Sequence, residues 1–120
     1  MVAWLGRVSE PQLYLSVLVL GEICKGIAKL ADLAQRERLE TWLEGELTPR
    51  FAGRVLGIDV ATATRWGVLS GEAEARGEPA PVIDALLAAT ALEHGLTLVT
   101  RNTQDYQALG VRLLNPWEEV

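Results

Sequence analysis

Residues 81–95 constrain this chain more than any other stretch: Pro81-Val-Ile-Asp84-Ala-Leu-Leu-Ala-Ala-Thr-Ala-Leu-Glu-His-Gly95. Pro81 suits a first helical position, and Gly95 suits the left-handed residue just past a helix end. Between them nearly every residue is Ala, Leu, Val or Ile, so the spacing predicts a helix buried on nearly every side. A short β-rich run, 96–100, follows at once. An apolar content of 49% fits a parallel sheet with both faces covered.

The remainder of the chain repeats the alternation. Residues 13–17 read as a strand, and Ser16 is placed to cap the helix after it. In that helix, 18–31, Leu20, Ile23, Ile27 and Leu30 share a face while Lys25 and Lys29 project elsewhere. Residues 32–47 read as a second amphipathic helix, with Leu39, Trp42 and Leu43 inward and Arg36, Glu37, Arg38 and Glu40 outward. Residues 54–58 form a short strand in this reading. Asp59 then caps a helix running to about Arg76, with Val60, Ala63, Trp66 and Leu69 as its apolar side. Residues 111–115 form the last strand, stopped by Pro116. The order predicts one domain over 1–120, a three-layer α/β/α arrangement around a mainly parallel sheet.

Three acids stand where that topology concentrates ligands. Glu22 lies in the opening turns of the first helix, Asp84 in the first turn of the apolar helix, and Asp105 a few residues past strand 96–100. In an open parallel sheet, ligands gather beyond the carboxyl ends of the strands. A carboxylate at Asp84 is costly in apolar surroundings unless it is compensated, a little by the helix dipole and far more by a bound cation. Carboxylates held together repel unless a divalent ion sits among them, and Mg²⁺ prefers such oxygens. Such an ion activates water and stabilises the leaving oxygen of a phosphodiester. The plainer alternative is that Glu22 and Asp84 are first-turn acids favouring the dipole and Asp105 a turn residue. Thr100, Arg101 and Asn102 are placed to orient water or phosphate, or simply to turn the chain. His94 reads as a helix-end residue, Cys24 as a small helix residue, and the tryptophans (Trp4, Trp42, Trp66, Trp117) as core.

A net charge of −5 argues against general charge-driven binding to nucleic acid and leaves a nuclease with a local metal pocket open. A single cysteine makes no internal disulfide, and no apolar run is long enough for a bilayer, so a cytoplasmic location is expected. There is no Gly-rich phosphate loop, no Ser nucleophile elbow and no Cys/His metal spacing. Most other enzyme classes fall away, including a nucleotide-binding or phosphoacceptor α/β domain.

The stretches Leu13-Tyr-Leu-Ser-Val-Leu-Val-Leu-Gly-Glu22-Ile, Pro81-Val-Ile-Asp84-Ala-Leu-Leu-Ala-Ala-Thr-Ala, Gly95-Leu-Thr-Leu-Val-Thr-Arg-Asn-Thr-Gln-Asp105-Tyr and Asn115-Pro-Trp resemble the PIN-domain family, specifically its VapC/FitB-like toxins. The resemblance runs from Val2 onward. It implies a Mg²⁺-dependent ribonuclease (Mn²⁺ a possible substitute), the toxin half of a bacterial toxin–antitoxin pair. It further implies a homodimer neutralised by an antitoxin, with operator DNA contacted only through that antitoxin. Glu22, Asp84 and Asp105 match the family's second, third and fourth acids, and Thr100 and Asn102 would assist by hydrogen bonding.

The family pattern opens with a hydrophobic strand ending in Asp-x-Asn, whereas Met1-Val-Ala-Trp-Leu matches the helix after it. The expectation is therefore a PIN-like domain without its first strand and first acid. Burying each of about four or five large apolar side chains is worth about 1.5–3 kcal/mol. That total rivals the roughly 5–15 kcal/mol net stability of a domain. A start codon placed too far downstream is one explanation, and in-frame codons encoding that strand would bear it out. The other is a catalytically inactive remnant that still binds antitoxin.

Overall fold

The computed structural model describes residues 13–100 and 102–115. They fall into two compact units, residues 13–57 and residues 58–115.

In the first unit, β1 (Leu15–Ser16) leads directly into α1 (Val17–Ala28). Ser16 makes the transition: its backbone stays extended while its hydroxyl accepts the Leu18 N–H at 3.1 Å. The helix starts one residue before its expected limit and stops at Ala28, so Leu30 lies beyond it. Of the expected face only Ile27 is buried; Leu20 and Ile23 are half-buried. Asp32 caps α2 (Leu33–Trp42) by accepting the amides of Ala34 and Gln35 at 3.0 and 3.2 Å. The helix then widens into a π turn, Leu43–Leu47, and closes with α3 (Thr48–Arg50). Pro49 has no N–H and its ring crowds the carbonyl four residues back, so the preceding turn relaxes; the Thr48 amide bonds to Leu43, five residues away. Trp42, expected inward, is 39% exposed. β2 (Val55–Leu56) pairs with β1 in parallel, Leu15 opposite Val55 and Ser16 opposite Leu56.

The second unit begins with α4 (Val60–Ala75), capped by Asp59, whose Oδ1 accepts the Thr62 amide at 2.8 Å. Its buried stripe is Thr62, Trp66, Leu69 and Ala73, not the expected Val60, Ala63, Trp66 and Leu69. Val60 is 82% exposed. Spacings of four, three and four keep the stripe helical, but hydropathy misplaced its phase because the innermost residue is a threonine.

α5 (Val82–Glu93) packs against α4. Pro81 is its N-cap and not its first helical residue: φ of −56° suits either position, and ψ of 146° decides. Burial on every side holds for the middle, where Ala85, Ala88, Ala89, Thr90 and Ala91 are all enclosed. It fails in the first turn, where Val82 and Ile83 are open to solvent. The alanines give α5 a smooth packing surface, and in α4, which packs against it, Thr62 and Ala73 are buried. Thr90 satisfies its buried hydroxyl on the Leu86 carbonyl at 2.8 Å. The helix ends in a Schellman motif: Leu96 N–H donates to Ala91, Gly95 N–H to Leu92, and Gly95 takes φ of +65°.

β3 (Leu98–Val99) and β4 (Leu113–Leu114) form a second parallel pair, Leu98 opposite Leu113. Two 3₁₀ turns, Thr103–Asp105 and Gln107–Leu109, connect them, and Gly110 reverses the chain at φ of +73°. The core of this unit is Ala88, Ala91, Tyr106, Leu109 and Val111, with Leu69, Leu87, Leu96 and Leu98 packed around it. Both described strand pairs are parallel, as an α/β reading requires. The segment 1–5, Arg101, Pro116 and Trp117 lie outside the described residues.

Candidate functional site

The site is built where α5 begins and β3 ends. Asp84 occupies the first turn of α5, where unpaired backbone N–H groups favour negative charge. Asp105 closes the first 3₁₀ turn after β3 and is exposed. That turn is shaped locally: the Thr100 hydroxyl accepts the Asn102 N–H at 3.1 Å, and the Asp105 N–H donates to the Asn102 carbonyl at 3.2 Å. Thr100 and Asn102 thus set the direction in which the chain delivers Asp105.

Tyr106 reaches Asp84, and the sequence reading gave it no role. Its ring is only 6% exposed, yet its hydroxyl donates to Asp84 Oδ1 at 3.2 Å. Burial pushes the Tyr106 phenol up to about 12, and the neighbouring Asp84 and Asp105 carboxylates push in the same direction. The hydroxyl therefore keeps its proton at physiological pH and donates a hydrogen bond to Asp84. The signal in the sequence was faint: one aromatic directly after Asp105, indistinguishable from any core residue.

Glu22 lies on α1 in the first unit, exposed to solvent. Asp84 and Asp105 both belong to the second unit, and of the two it is Asp84 that is hydrogen-bonded to Tyr106, at 3.2 Å. Among the described residues no group of three or more His, Cys, Asp or Glu side chains is gathered to hold a metal ion. The donor chemistry of the second unit fits a hard divalent cation. Carboxylate oxygens are its ligands of choice, Mg²⁺ is commonly held by one or two carboxylates with several waters, and a hydrogen-bonded carboxylate is the usual form of such a ligand.

Other residues resolve more simply. Exposed His94 at the end of α5 directs Nδ1 to the Thr90 carbonyl at 2.9 Å, so that nitrogen carries the proton and the ring serves as a helix end. Cys24 is exposed on α1. Trp66 is half-buried, with its indole N–H unpartnered among the described residues.

The PIN-domain pattern matches residues 2–110. This chain belongs to the PIN-domain family. Among its curated relatives, the VapC ribonuclease Y4jK of Sinorhizobium fredii is 34% identical over 117 residues, covering 98% of this chain and 84% of that protein. Toxin FitB of Neisseria gonorrhoeae is 34% identical over 118 residues, covering 98% and 85%. The crystal structure of FitAcB from Neisseria gonorrhoeae superposes with a TM-score of 0.92 at 34% identity, over 97% of this chain and 84% of that one. FitAB bound to a DNA fragment gives 0.90 at 33% identity, over 97% and 81%. The α/β PIN fold expected from the sequence is thereby shown. Among the described residues, no helix is long and apolar enough to cross a membrane.

Proposed function

We propose that this chain acts as one PIN domain and is a metal-dependent endoribonuclease, the toxin component of a type II toxin–antitoxin pair. The observation that carries the reading is 34% identity across 98% of the chain to a VapC ribonuclease. The Asp84 carboxylate in the first turn of α5, hydrogen-bonded by the buried Tyr106, supports it. Asp84 is the principal metal-holding residue, with Asp105 and Glu22 as the other acids of this reading, acting directly or through water. The ion is Mg²⁺, for which Mn²⁺ substitutes; when bound it supplies Lewis-acid activation of water and charge neutralisation at the phosphodiester. The residues of the chain hold and orient: Tyr106 anchors the Asp84 carboxylate, and the Thr100–Asn102 turn presents Asp105.

An acidic chain of net charge −5 gains little from general attraction to RNA, so substrate engagement depends on this local site. The partners on this reading are RNA as substrate, a cognate antitoxin and a second copy of the chain. Operator DNA is met only through the antitoxin, in keeping with the relative named as a toxin and the FitAB structure on DNA. The protein works in the cytoplasm.

The experiment is cleavage of a panel of RNAs by the purified chain with Mg²⁺ or Mn²⁺, beside Asp84→Asn. Metal-dependent cleavage by the wild type and none by the variant is the expected result. Undiminished cleavage by Asp84→Asn removes Asp84 from the mechanism, and a wild-type chain inert on every RNA with either metal favours an inactive, antitoxin-binding protein.

A further inference from the structure

We propose that Tyr106 is a positioning residue for Asp84: its hydroxyl, carried on a ring locked in the core, sets the direction of the carboxylate that holds the metal ion. This rests on the metal-dependent ribonuclease reading and deepens it.

The two residues are 22 positions apart and meet only through the fold, at 3.2 Å. The tyrosine ring has no room to swing, lodged with Ala88, Ala91, Leu109 and Val111. Asp84 is placed differently. It sits half-buried in the first turn of α5, beside Val82 and Ile83, which face solvent. Among the described residues no ion pair involves Asp84, and the tyrosine hydroxyl is the side-chain group that hydrogen-bonds its carboxylate.

A hydroxyl suits that task better than a cation. It takes one lone pair of Oδ1 and orients the group without neutralising it, so the full negative charge stays available to a metal ion. A phenylalanine at position 106 fills the same core volume and leaves the carboxylate free to turn. Core packing and positioning are therefore separable by one oxygen atom.

The test is Mn²⁺ binding to the full chain, followed by electron paramagnetic resonance of the free ion, for wild type, Tyr106→Phe, Asp84→Asn and Leu109→Ala. Near-UV circular dichroism verifies that each is folded at the assay temperature, and Val111→Ala replaces Leu109→Ala if that variant is not. Tyr106→Phe is expected to weaken Mn²⁺ binding about 10-fold, the usual consequence of removing the hydrogen-bond partner of a metal-bound ligand. The core variant, which loosens the same cluster but keeps the hydroxyl, is expected to bind within about threefold of wild type.

Tyr106→Phe binding Mn²⁺ as tightly as wild type, while Asp84→Asn loses it, overturns the role of Tyr106 alone. A core variant weakened as much as Tyr106→Phe also overturns it, by making the effect one of packing. Asp84→Asn binding as tightly as wild type, or a wild type that takes up no Mn²⁺, overturns the assignment of Asp84 and the inference with it.

Discussion

Truncating Leu109 to alanine tests whether the cluster around Tyr106 is the core that holds the site. Leu109 is 5% exposed and packs with Ala88, Ala91, Tyr106 and Val111. Leu→Ala substitutions in cores cost about 2–5 kcal/mol, depending on how far the neighbours collapse into the gap. Here two of those neighbours are alanines on α5, which have no side chain to extend, and a third is a ring tethered at its hydroxyl. The cost therefore belongs in the upper half, about 3–5 kcal/mol. Unfolding entropy of about 2.1 cal/mol/K per residue gives about 0.25 kcal/mol/K for 120 residues, so Tm falls by about 12–20 °C. Against a net stability of about 5–15 kcal/mol, the variant is still measurable but markedly weakened. Urea unfolding is the assay, with an unchanged m-value showing that only stability has moved. Leu33→Ala is the control, since Leu33 is 70% exposed and should shift stability by no more than about 0.5 kcal/mol. If Leu109→Ala unfolds at the same urea concentration as Leu33→Ala, the reasoning is wrong and the ring of Tyr106 is not held by that cluster.

Other outcomes follow from the same coordinates. Asp59, the cap of α4, has its carboxyl held below the usual carboxylate range, chiefly by the Thr62 backbone N–H it accepts. A depressed folded value means that its stabilisation is present above the ordinary value near 3.8 and is lost as pH falls through the folded one. Urea midpoints of wild type and Asp59→Ala should thus differ at neutral pH and converge in acid; a constant gap would contradict this. At the end of α5, Gly95 holds φ of +65° with open space where a Cβ would go. Gly95→Ala should therefore cost about 1–2 kcal/mol through conformation alone and Gly95→Asn less, both read from urea midpoints; equal losses would point to a steric cause.

Much of this protein can be read without coordinates, because caps and periodicities are local. Ser16 and Asp59 close their helices through their own side chains onto amides two or three residues away, so their roles show in the sequence. Gly95 announces its left-handed turn for the same reason. Pro49 alters a helix that hydropathy alone carries straight through, and ψ at Pro81 moves a helix start by one residue. The phase of α4 differs from the hydropathy pattern because burial depends on what the helix packs against: Thr62 is enclosed while Val60 is 82% exposed.

The candidate site divides the same way. Asp84 at a helix start and Asp105 past a strand end are marked in the sequence because those positions follow from topology, whereas Glu22, read as an opening-turn acid, lies in the middle of α1. The tyrosine that ties Asp84 to the core is 22 residues from it, and no periodicity links the two. Only the packing of α5 against the turns after β3 brings that hydroxyl to the carboxylate. Sequence by itself determined which elements form and where their charges begin; tertiary structure decided which side chains meet, because contact between distant segments is a property of how whole elements pack.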